Sequence, residues 1–126
     1  MDKQTLRLSK LGHTWILDFD GTLVEHNGYM SGKDKLLKGT KEFLNSIPKD
    51  DYILIMTARE IEAKEDTIEF LKENNIRYNE IIFDVPMGER ILINDDKPSG
   101  LKCAFSVSPK RNEGLENLEL IIDESL

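Results

Sequence analysis

The stretch Trp15-Ile16-Leu17-Asp18-Phe19-Asp20-Gly21-Thr22-Leu23 decides how the rest of the chain is read. Trp15, Ile16 and Leu17 form an unbroken apolar run within His13 to Phe19. That is the pattern of a strand covered on both faces, because a strand with one wet face alternates apolar with polar residues. Asp20-Gly21-Thr22 ends it with turn chemistry. Buried strands of this kind belong to parallel sheets, where ligands bind beyond the carboxyl ends.

Downstream, Asn27-Gly28 and Ser31-Gly32 suit an irregular loop or small hairpin between residues 22 and 38, over one end of the sheet. Phe43, Leu44 and Ile47 lie on one stripe of a helix over Thr40 to Ile47, and Pro48 stops it. Tyr52 to Met56 is a second buried strand, closed by Thr57. Glu60 to Asn74 is rich in Glu and Lys, with Ile61, Ile68 and Leu71 on one face of a helix. Ile81 to Val85 and Arg90 to Ile93 read as short strands separated by Pro86-Met87-Gly88-Glu89, Leu101 to Val107 as a fifth strand and Leu115 to Asp123 as a closing helix. Strands alternating with helices predict an α/β fold with a three-layer, Rossmann-like parallel sheet and helices on both faces.

A chain of 126 residues has the size of one domain, so residues 1–126 are expected to form a single unit. Seventeen basic against 24 acidic residues give a formal charge of -7, which argues against a protein whose main task is to hold a nucleic-acid backbone. The apolar runs are far shorter than a membrane helix requires, and Met1 to Lys10 lacks the apolar centre of a secretory signal. A cytoplasmic protein with no membrane partner is the expectation. Cys103, the single cysteine, reads as a small buried strand residue.

Three apolar strands end in residues suited to phosphate chemistry: Asp18 and Asp20 after the first, Thr57 after the second, and Asn94, Asp95 and Asp96 after the fourth. Parallel strands would bring these endings to one edge. Up to four carboxylates would then crowd within a few ångströms, which is costly unless a cation sits among them. Oxygen donors of this kind suit magnesium, which takes one or two carboxylates, retained waters and a substrate phosphate.

Asp18-Phe19-Asp20-Gly21-Thr22, Leu54-Ile55-Met56-Thr57 and Ile91-Leu92-Ile93-Asn94-Asp95-Asp96 resemble the first, second and fourth motifs of phosphatases of the haloacid dehalogenase-like superfamily, in order and strand context over residues 13 to 107. The resemblance implies that Asp18 attacks phosphorus to form a phosphoaspartate, and that Asp20 protonates the leaving oxygen and then activates water. It implies a Mg2+ ion held by Asp18, by Asp20 through its main-chain carbonyl, and by Asp95 or in its place Asp96. Thr57 would donate to the phosphoryl group. Gly21, Thr22 and the backbone amides after Asp18 would cradle its oxygens.

The resemblance departs at the third motif, a basic residue carried by a helix ahead of the fourth strand, since only four residues separate Val85 from Arg90. Lys97, directly after the acidic pair, is the first candidate, followed by Arg90 and Lys64. Arg59 would bind a substrate group through its bidentate fork, and His26 and Tyr29 lie in the loop over the site. Each residue also has a plainer use. Asp18 and Asp20 can be a strand-ending turn, Thr57 can cap the next helix, Arg59 can pair with Glu60 or Glu62 on the surface, and His26 can be a solvated loop residue.

Neither residues 22 to 38 nor the stretch after Thr57 has room for an inserted cap domain, so the resemblance is to a small capless member. Such members take large substrates or borrow a neighbouring subunit as a lid. With an acidic chain, the expected partner is a small phosphorylated metabolite, a sugar or polyol phosphate by analogy with bacterial surface-carbohydrate pathways, and self-association would supply the lid. A polynucleotide 3'-phosphatase is the second enzyme reading, disfavoured by the missing basic groove. A non-catalytic phosphate-binding or regulatory module on the same fold is the third.

Overall fold

The computed structural model describes residues 3–26, 28 and 32–126; Tyr29 lies outside the described residues. The chain is mixed α/β with parallel sheets. Among the described residues five strands and two α-helices follow in the order β1 (Gln4–Leu8), β2 (Thr14–Asp18), α1 (Thr40–Ser46), β3 (Tyr52–Met56), α2 (Lys64–Glu73), β4 (Glu80–Ile82) and β5 (Leu118–Ile122). They make two sheets rather than the single one expected: β2-β3-β4, and β1 paired with β5. Among the described residues no helix is long and apolar enough to cross a membrane.

The three-stranded sheet carries the site. Thr14 to Asp18 pairs in parallel with Tyr52 to Met56, so Asp18 lies opposite Met56 and Thr57 follows at the same edge. On the other side of β3, Leu54 to Met56 pairs with Glu80 to Ile82. The Thr57 amide extends that ladder by donating to the Ile82 carbonyl at 2.9 Å. Helices α1 and α2 make the two crossovers that parallel pairing demands.

Phe19, Ile53 and Ile55 are completely buried, with Leu23, Val24 and Leu71 against them. Trp15 meets Phe43 edge-on at 5.7 Å between centroids, and Phe19 meets Phe70 in the same way at 6.5 Å. Far from the carboxyl edge, buried Asp51 gathers three donors: the Trp15 indole at 2.9 Å, and the His13 amide and imidazole at 3.1 and 2.8 Å. Burial opposes the charge on Asp51, but these hydrogen bonds outweigh it and hold the carboxyl below its ordinary pKa.

Several expectations change. Leu115 to Asp123 is no helix: Leu118–Ile122 is a strand in parallel register with Gln4–Leu8, from Gln4 opposite Leu118 to Leu8 opposite Ile122. The spacing of Leu115, Leu118 and Ile122 fits a helix locally, yet a distant backbone partner decides the outcome. Arg90 to Ile93 and Leu101 to Val107 form no strand, and Cys103 is only half-buried. Apolar content gives propensity but no partner; Arg90 turns to Asp18 while Ile91 and Ile93 stand 81% and 92% exposed. Ile16 is 49% exposed, so the run Trp15 to Leu17 is not covered on both faces. The second helix opens with a 3-10 turn at Ile61–Ala63, and Ile61 faces solvent instead of the core.

Two glycines fix how the C-terminal segment crosses the first helix. Gly39 and Gly114 both have left-handed backbone, with φ of 79° and 77°. A side chain on Gly39 would collide with the Glu116 backbone, and one on Gly114 with that of Lys38. The Leu115 amide donates to the Lys38 carbonyl at 2.9 Å across this contact.

Candidate active site

Phe19 seeds the turn that places the carboxylates. Its carbonyl accepts from the amides of Thr22, Leu23 and Val24 at 3.2, 2.9 and 3.2 Å, and the Gly21 amide donates to the Val24 carbonyl at 2.7 Å. Gly21 sits at φ 85°, a conformation that glycine adopts without strain. The amides of Gly21 to Val24 are thus used inside the turn, and the phosphoryl cradle expected of them is not presented. Beyond the turn, Val24 bridges antiparallel to Leu36, and the Leu37 amide donates to the Leu23 carbonyl, so the two ends of the excursion lie side by side, while residues 27 and 29 to 31 lie outside the described residues.

Asp18 ends β2 with its side chain 40% exposed. Thr22 Oγ1 donates to one carboxylate oxygen at 3.1 Å and Arg90 Nη1 to the other at 2.9 Å. Thr22 therefore orients Asp18. Arg90, second among the third-motif candidates, is the basic residue that reaches it. Lys97 ahead of it in that ranking, and Lys64 behind, are exposed. Lys97 takes part in a turn in which its amide donates to the Leu101 carbonyl.

Asp20 is held by Arg59. Nε and Nη2 donate to its two oxygens at 2.9 and 2.8 Å, a bidentate pair. The same guanidinium holds Asp34 through Nη1 at 3.1 Å and Nη2 at 2.6 Å, and Nη1 reaches Thr67 on α2 at 2.8 Å. It lies over the Phe19 ring, 4.6 Å from the centroid. Burial acts to lower the Arg59 pKa, but the hydrogen bonds to Asp20 and Asp34 outweigh it and raise it above the ordinary arginine value. Arg59 is only 3% exposed, so neither a surface pair with Glu60 or Glu62 nor a solvent-facing substrate fork describes it. Asp34 is the residue that the sequence reading passed over; it sits in a glycine-marked loop with no motif to flag it.

Thr57 is buried, and its hydroxyl accepts from the Arg59 amide at 3.1 Å, a turn cap one residue short of the expected position near Glu60. The His26 amide donates to Asn112 at 2.7 Å, and its buried Nδ1 has no hydrogen-bond partner among the described residues. The Asn112 amide donates to the Gly21 carbonyl at 2.9 Å, so the segment around Arg111 packs on the turn.

The acids expected to serve as a fourth motif, Asp95 and Asp96, are elsewhere. Asp95 and Asp96 are exposed, and one Asp96 oxygen accepts from the Cys103 amide at 3.4 Å. Among the described residues no three histidine, cysteine, aspartate or glutamate side chains are gathered in a way that would hold a metal ion. Asp18, Asp20 and Asp95 as placed do not fit a magnesium shell, because residues 90 to 93 do not pair beside β2 and so do not deliver Asp95 to its end.

The fold and the site define an α/β protein with parallel sheets that clusters carboxylates and guanidiniums at a strand edge. No family model, curated protein or solved structure matches the chain.

Proposed function

We propose that this chain is a phosphomonoester hydrolase that acts through Asp18 on a small phosphorylated metabolite, a sugar or polyol phosphate being the preferred class, on a Rossmann-like three-layer plan. The observation that carries the reading is the state of Asp18. It is a half-exposed carboxylate at a strand end, oriented by Thr22 at 3.1 Å, flanked by the Arg90 guanidinium at 2.9 Å, with a second carboxylate two residues on.

An Asp18 oxygen attacks phosphorus in line, the P–O bond to the leaving group breaks, and the leaving oxygen takes a proton from Asp20. Water then attacks phosphorus, gives its proton to Asp20, and Asp18 departs as a free carboxylate. Asp20 has lone pairs for this proton beyond the two oxygen sites that Arg59 occupies. Arg90 balances charge on Asp18 and the transferring phosphoryl group.

With Asp20 holding the proton that it gives up, Asp18 and Asp34 balance Arg59 and Arg90 in the described ion pairs of the site, and the attacking Asp18 carboxylate still faces the substrate as an anion. An anionic substrate meets repulsion there unless a cation comes with it. Magnesium is that cation in this reading. The acids as placed do not form its shell, and the proton and phosphoryl transfers fall to this chain's own side chains.

The test is phosphate release from phosphorylated sugars, polyols, amino alcohols and nucleotides and from an aryl phosphate, with and without magnesium. Turnover abolished by Asp18→Asn supports the reading; no turnover on any substrate contradicts it. Preference for an oligonucleotide 3'-phosphate over every sugar phosphate would overturn the metabolite class.

A further inference from the structure

Arg59 has no donor left for a substrate. A guanidinium carries five N–H groups. Among the described residues five bonds run from Arg59, two to Asp20, two to Asp34 and one to Thr67, at 2.6 to 3.1 Å. The group is planar and rigid, so fixing one edge on Asp34 fixes the direction of the other edge, on which Asp20 sits. Its own surroundings leave it little freedom: the side chain is 1% exposed, that of Asp34 is 6% exposed, and the Phe19 ring lies 4.6 Å from the guanidinium carbon.

We propose that Asp34 is a positioning residue for Asp20, acting through the guanidinium that the two carboxylates share. The inference rests on the reading of Asp20 as the proton-transferring group. Asp34 touches neither substrate nor the reacting atoms; it sets the angle at which Asp20 faces the leaving oxygen. Two aspartates 14 positions apart in sequence, one in the first motif and one in the following loop, are thereby linked by a third residue that follows β3.

Asp34→Asn keeps the volume but turns one acceptor into a donor facing a guanidinium N–H, so the bidentate grip is lost. With an aryl phosphate and saturating magnesium, kcat is expected to fall roughly tenfold with KM changed less than about threefold, since orientation acts on the transition state and not on substrate binding. Arg59→Lys is expected to fall at least as far. Lysine presents a point charge that cannot hold two carboxylates by their edges. In the Arg59→Lys background Asp34→Asn is expected to add no further loss, because its effect travels through Arg59.

A second measurement is independent of turnover: the carboxyl 13C resonance of Asp20, assigned by its loss in Asp20→Asn, is expected to move in Asp34→Asn. Multiplicative losses in the double variant, a rise in KM with kcat kept, or an unmoved Asp20 resonance in folded Asp34→Asn would each overturn the proposal. If the wild-type chain hydrolyses no phosphate ester, the hydrolase reading fails, and the carbon resonance alone still decides whether Asp34 positions Asp20.

Discussion

Arg59 and Asp20 are joined edge to edge, Nε and Nη2 of the guanidinium on the two carboxylate oxygens at 2.9 and 2.8 Å, and the same guanidinium holds Asp34. Removing the cation leaves two largely buried carboxylates facing each other. Arg59→Ala is therefore expected to destabilise the fold by about 3–5 kcal/mol, the range for breaking a buried pair from one side. Urea unfolding measures it, and a loss below about 1 kcal/mol would show that the pairs are solvated in solution.

Of the two candidates for the basic role, Arg90 lies 2.9 Å from Asp18 while Lys97 is exposed. Arg90→Ala is expected to lower kcat/KM roughly 100-fold, as loss of a charged group at the transferring phosphoryl does. It should change stability by less than about 1 kcal/mol, since Arg90 and Asp18 are partly exposed. Lys97→Ala is expected to stay within about threefold of wild type. The reverse ranking would return the role to Lys97.

Asp51 gives a pH signature remote from the site. Its pKa is lowered in the folded chain, so its stabilisation is fully present above the unfolded carboxyl's pKa of about 3.9 and is lost as pH falls through the folded value. Asp51→Asn leaves His13 and Trp15 donors poorly matched, at a cost of about 2–3 kcal/mol near neutrality. The gap between wild type and variant in denaturant unfolding should close as pH falls below about 4. A gap that persists undiminished below about pH 3 would contradict the assignment.

Gly114→Ala combines a left-handed backbone at φ 77° with a collision against Lys38. The expected loss is about 3 kcal/mol or more, read by thermal or urea unfolding. Gly12→Ala, which meets no atom within 4 Å, is the control and should change stability by less than about 0.5 kcal/mol.

The local patterns carried the centre of the fold. Tyr52 to Met56 is a strand over its whole predicted length, and Phe43, Leu44 and Ile47 are buried where the stripe placed them. Asp18, Asp20 and Thr57 meet at one edge because parallel pairing of two apolar runs needs only local signals and a crossover between them. Pairing of the chain ends was not legible: Gln4–Leu8 is an ordinary mixed segment until Leu118–Ile122 lies beside it. Nor was the Arg59 bond to Asp34, since an aspartate in a polar loop carries no pattern until a buried arginine claims it. Residues 91 to 93 show the converse, apolar and strand-like in sequence yet exposed.

A hydrolase acting through Asp18 carries a covalent phosphate on that residue during turnover. Mixing the wild-type chain with a turned-over phosphate ester, quenching within one turnover and reducing with borohydride converts an acyl phosphate to homoserine, which mass spectrometry of the peptide places by residue. Homoserine at position 18, absent without substrate, is the predicted result. An unmodified Asp18 with turnover intact, or homoserine at Asp20 instead, would contradict it.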